Sequence, residues 1–158
     1  MSPTPSAFLR RALWAAALVG LPFGAAVAGD DNVRVSVVAI LATDKNDKID
    51  PKLECMAKEV QKLDPKLTGF RIAKMTTKSL AMGGKDDFDL CGEQCLHVVV
   101  EKKGEEEGRF QIKITPPRMG DITYTTTCGK FFPVMTPFRN KDDELLIIGV
   151  RIRPCDGK

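Results

Sequence analysis

Five cysteines and a single histidine are the side chains of this chain best equipped for covalent or metal chemistry. Cys91 and Cys95 flank Gly92-Glu93-Gln94, a stretch that reads as a hairpin turn. Such a turn brings the two α-carbons toward the roughly 5.5 Å that a disulfide prefers. His97 follows two residues later, so Cys91-x3-Cys95-x-His97 also offers a thiol-based redox or metal-binding reading. Zinc sites favour two cysteine pairs at tighter spacing, and one histidine is a thin supply of ligands. The haem signature C-x-x-C-H is broken by Leu96. A structural disulfide between Cys91 and Cys95 is the expectation, with His97 an ordinary residue of an alternating strand.

The remaining cysteines divide differently. Cys128 ends one predicted strand and Cys155 follows the last one beside Pro154, so these two pair if those ends lie together. Cys55 falls on a predicted helix, opposite its apolar stripe and among Lys58 and Lys62. Five cysteines cannot all pair within one chain. Cys55 is therefore the expected free thiol, the fastest to react, or the bridge in a disulfide-linked dimer.

Other chemistry finds little material. After residue 28 the only serines are Ser36 and Ser79, neither in G-x-S-x-G. Gly84-Lys85 and Gly129-Lys130 lack the rest of a phosphate-binding loop. The acidic stretch Asp44–Asp50 misses the calcium-loop pattern at its key positions and reads as a solvated loop that caps a helix. Glu105-Glu106-Glu107, between Gly104 and Gly108, reads as a hairpin tip rather than a carboxylate pair converging in a cleft. No catalytic residue, metal or cofactor is expected.

The chain opens with Arg10 and Arg11, no acid, and then the apolar run 12–28 ending in Ala26-Val27-Ala28. That order of charged, apolar and small-residue regions predicts a secretory leader over 1–28, cleaved before Gly29. Retention as an anchor is the alternative, since 17 residues reach the lower edge of a membrane span. The leader implies an exported protein, periplasmic or secreted, in a compartment where disulfides persist. The formal net charge of +3 falls by two once Arg10 and Arg11 are removed. Nothing in that balance favours nucleic acid.

Residues 29–158 suffice for one domain. Val33–Ala42 reads as a strand, and Asp50-Pro51 opens a helix with Asp50 as N-cap. Leu53, Met56, Ala57, Val60 and Leu63 form one apolar stripe at 3.6-residue spacing, and Asp64-Pro65 stops the helix. Strands are then expected near Phe70–Ala81, Asp87–Leu90, Leu96–Lys102, Arg109–Thr115, Ile122–Cys128, Phe131–Phe138 and Leu145–Arg153. Pro133 and Pro137 push Phe131–Phe138 to a sheet edge. Leu145–Val150, apolar on both faces, belongs at a sheet centre. The order predicts an α+β fold, one helix on a mostly antiparallel twisted sheet. The alternative is a β-sandwich with one helix.

Three segments resemble a family of small exported bacterial proteins with no assigned activity. They are Leu63–Phe70, Tyr124–Pro133 and Glu144–Val150. The resemblance covers nearly all of 29–158 and implies a strand, a helix and then a sheet. It brings no catalytic residue. The functional expectation is a non-enzymatic periplasmic or secreted module that binds a protein or envelope partner, with strand edges available for pairing. The alternative is a thiol-based redox or metal-binding protein acting through Cys91 and Cys95, and through Cys55.

Overall fold

Apolar side chains on both faces of two strands organise the molecule. The computed structural model describes residues 32–155; the expected leader over 1–28 and its cleavage site lie outside them. In β1 (Asn32–Thr43), Val33, Val35, Val37, Ala39 and Leu41 enter one core, while Val38, Ile40 and Ala42 enter another. The period-two alternation of a strand makes that division unavoidable over the unbroken apolar run 37–42. The last strand, β8 (Leu145–Pro154), repeats it: Leu146, Ile148, Val150 and Ile152 face one core, Leu145 and Ile147 the other.

Between these strands lie α1 (Glu54–Leu63), β2 (Gly69–Ala81), β3 (Lys85–Asp89), β4 (Cys95–Lys103), β5 (Arg109–Thr115), β6 (Ile122–Thr127) and β7 (Phe132–Arg139). The strands form two four-stranded antiparallel sheets, ordered β2-β1-β8-β7 and β3-β4-β5-β6. Among the described residues there are thus one α-helix and two sheets, where a single sheet is the first expectation. At the short turn Met82–Gly84, with Gly83 at φ 76°, the chain leaves the first sheet after β2 and starts the second with β3. β7 is a terminal strand and β8 an interior one, as Pro133, Pro137 and the apolar run 145–150 predict.

The larger core joins both sheets. Phe88, Leu96, Val98, Val100, Phe110, Ile112 and Ile114 from the second meet the inward side chains of β1 and β8. The smaller core joins Leu53, Met56, Ala57 and Val60 to Val38, Ile40 and Ile147. Asp50 accepts a hydrogen bond from Lys52 N at 2.9 Å, and Pro51–Leu53 forms a 3-10 turn leading into α1. Leu63 corrects the expected stripe. It is 74% exposed because the helix ends there, Asp64 closing the last turn through its N–H to Val60 O at 2.9 Å. No helix among the described residues is long and apolar enough to cross a membrane.

Candidate functional site

The hairpin expected around Gly92 forms. Leu90 N donates to Gln94 O at 2.8 Å, and Gly92 takes φ 62°, a left-handed geometry that costs glycine little. Counting outward from this turn, Asp89 pairs with Cys95 and Asp87 with His97. The structure holds the expected Cys91–Cys95 pair apart: all five cysteines are free thiols in it, with no pair at bridging distance. Cys91 packs against the core between the sheets, and burial pushes its thiol pKa up. Cys95, the first residue of β4, shares the outer face with His97, because Leu96 between them is fully buried. Opposite faces separate the two sulfurs.

The second expected bridge is also absent. Cys128 follows β6 and packs against the inter-sheet core, and Gly129 N donates to Ile152 O on the β7 side of β8. Cys155 leaves β8 on the other side. Its N–H donates to Asn32 O, and its sulfur lies 3.7 Å from Ser79 Oγ on β2. The strand order β2-β1-β8-β7 therefore carries the two thiols to opposite flanks. Cys55 is exposed as expected. It lines an open groove of about 410 Å³ with Lys52, Met56, Glu59, Lys130 and Phe131. The Arg151 guanidinium lies 4.4 Å from the Phe131 ring centre beside this groove, and burial lowers its pKa.

On the outer face of the second sheet, Cys95, His97 and Asp87 stand in line. The Cys95 sulfur is 3.9 Å from His97 Nε2, and His97 Nδ1 bonds Asp87 Oδ1. All three open to solvent, beside a shallow depression of about 510 Å³ lined by Lys85, Asp86 and Val99. The groups run in series rather than converging on a point. Among the described residues, no group of three or more Cys, His, Asp or Glu is placed to hold a metal ion. His97 is a strand residue, as its alternating context predicts. The register adds what alternation alone does not show, since the turn fixes Asp87 opposite His97.

The four terminal strands differ in how they guard their backbones. Open edges invite pairing with another chain, and charge, proline and irregular geometry discourage it. β2 and β3 lie together along one flank, tied by Lys74–Asp89 at 3.5 Å and Lys78–Asp86 at 3.0 Å. β7 carries Pro133 and Pro137, and its pairing with β8 shifts register between Met135 and Arg139. β6, Ile-Thr-Tyr-Thr-Thr-Thr, has neither proline nor charge. It pairs with β5 alone, in unbroken register from Ile122 to Thr127. Tyr124 anchors it by stacking on Phe132 of β7, ring centres 4.0 Å apart. Thr123, Thr125 and Thr127 project to solvent. Compared with models of protein families, with curated proteins and with solved structures, the chain matches none.

Proposed function

We propose that the protein is a non-enzymatic, exported binding module that takes an extended segment of a protein or envelope partner along β6. The observation behind this reading is the contrast among edges: three carry charge or proline, and β6 carries only strand-favouring residues. An added strand would satisfy the outward backbone groups of β6 and gain affinity from main-chain hydrogen bonds. Threonine β-branches stiffen the edge before binding, which lowers the ordering cost. Export rests on the leader pattern, and kinship with small exported bacterial proteins rests on the three quoted segments. The helix over the first sheet acts in this reading as a brace that leaves the second sheet free to engage the partner.

Site-specific photo-crosslinking in the envelope fraction tests the edge. A photoreactive residue at Thr123 is expected to give one discrete adduct, which Thr125→Lys abolishes by placing a solvated charge at the edge. The same probe at Lys58, on the helix, is expected to give none. Adducts of equal yield from both positions, or a Thr123 adduct that survives Thr125→Lys, would rule the reading out.

A further inference from the structure

Two constraints bring Cys95, His97 and Asp87 together, and the three make a chemical unit. Period-two alternation puts Cys95 and His97 on one face of β4, and the hairpin register puts Asp87 across from His97. A carboxylate only accepts hydrogen bonds, so Asp87 Oδ1 fixes the proton of the neutral ring on Nδ1. Nε2 is then left with its lone pair, 3.9 Å from the Cys95 sulfur. Thiol, base and orienting carboxylate in this order are the arrangement that activates a nucleophilic sulfur. The sulfur lies at the solvent face, so a small reagent reaches it without opening the fold.

We infer that Cys95 is a modification site that exchanges with low-molecular-weight disulfides and holds one half as a mixed disulfide. The Cys95 proton passes to His97 Nε2, and the thiolate attacks one sulfur of R–S–S–R. A bond forms between Cys95 Sγ and that sulfur while the S–S bond of the reagent breaks. The departing R–S⁻ leaves with the bonding pair and takes the proton back from Nε2. The reagent disulfide is the oxidant, reduced by one thiol's worth as Cys95 is oxidised, and nothing else is consumed. Release of the adduct through a second cysteine is blocked within the chain. Cys91, the nearest in sequence, faces the core on the opposite side of the hairpin. The mixed disulfide therefore persists until an external thiol removes it.

Cys55 supplies the control. It is the more exposed thiol and has no imidazole beside it, because His97 is the only histidine in the chain. Full-length protein is incubated with glutathione disulfide at neutral pH, quenched with acid and mapped by peptide mass spectrometry. In contrast to the sequence expectation that Cys55 reacts fastest, Cys95 is expected to gain the glutathionyl group at least about tenfold faster than Cys55, and His97→Gln to remove that advantage while leaving the Cys55 rate unchanged. Asp87 acts as a positioning residue, and the single histidine lets its effect be read directly. In ¹⁵N spectra of the neutral ring, the native protein is expected to show the Nδ1–H tautomer, and Asp87→Asn to shift it toward Nε2–H with a slower Cys95. Equal rates at Cys95 and Cys55, or an Nε2–H tautomer in the native protein, would overturn the inference. So would a Cys95 rate unaffected by His97→Gln.

Discussion

The two sheets have similar strands and opposite duties. In the first, β1 and β8 are buried on both faces, one toward the second sheet and one beneath α1. In the second, β4 and β5 bury Leu96, Val98, Val100, Ile112 and Ile114 on one face. They leave Cys95, His97, Gln111, Lys113 and Thr115 on the other. Strands buried on both sides leave no surface for recognition, and their side chains are held by packing in three dimensions. A sheet with one wet face is free to place polar and reactive groups there. The contrast teaches that burial divides the layers here: the central strands of the first sheet are covered on both faces, and the second sheet leaves one face to solvent.

The sharpest way to break this comparison is a charge on the outward face of each sheet. Ile147, outward in β8, is fully buried against the helix. Ile147→Asp leaves an unpaired carboxylate there and is expected to cost more than about 4 kcal/mol, which unfolds a marginal domain. Thr123→Asp, outward in β6, is expected to cost about 1 kcal/mol or less. Urea denaturation followed by circular dichroism measures both, and equal losses would dissolve the distinction between the layers.

A smaller effect is expected where Met56 of the helix packs on Gly149 of β8. A Cβ on Gly149 would lie 2.7 Å from Val38 Cγ1 and 2.9 Å from both Met56 Cε and Sδ. Methionine adapts, but the β-branched Val38 in the next strand has one preferred rotamer and little room. Gly149→Ala is expected to destabilise by about 1–3 kcal/mol through overpacking. Gly149→Ala combined with Met56→Ala is expected to recover part of that loss. A thermal melt in which the double variant fell by the full sum of the single losses would place the strain elsewhere.

Where the two sheets meet at their β6–β7 flank, the Tyr124 hydroxyl is buried without a hydrogen-bond partner, and burial pushes its pKa up. Removing an unsatisfied polar atom while keeping the ring on Phe132 costs nothing in packing. Tyr124→Phe is expected to hold stability level or raise it by up to about 1 kcal/mol. A clear loss in chemical denaturation would mean that the hydroxyl finds a partner in solution. The least effect belongs to Leu63→Lys, on the exposed last turn of α1, expected to stay within about 0.5 kcal/mol. A melting loss comparable to that of Val60→Ala would mean the helix is longer than Glu54–Leu63.

Strand positions were legible from the residues, and strand partners were not. Alternation and turn residues located every strand to within a few positions, because both signals act over a short stretch of chain. Arg109–Thr115 is observed with the bounds expected. The division into two sheets depends on how the Met82–Gly84 turn redirects β3, a long-range outcome with no local signature. Leu63 read as buried because periodicity marks a face without marking where a helix frays. At the candidate site, the hairpin was legible, and the structure holds the two sulfurs apart. Proximity in sequence suggested that Cys91 and Cys95 meet, whereas the strand parity beginning at Cys95 sends their side chains apart. The alignment of Asp87 with His97 was implicit in the same turn and required only counting across it.

The adjacency of β1 and β8 bears on how the molecule comes into being. Val33 lies opposite Pro154 and Ala42 opposite Leu145, so the centre of the first sheet joins segments more than a hundred residues apart. Neither the core between the sheets nor the contact beneath α1 closes until the final strand slots between β1 and β7. A chain emerging from its N-terminal end thus stays open until nearly all of it is present, and such distant pairing slows folding. The last strand works as a latch, set only once nearly the whole chain is present.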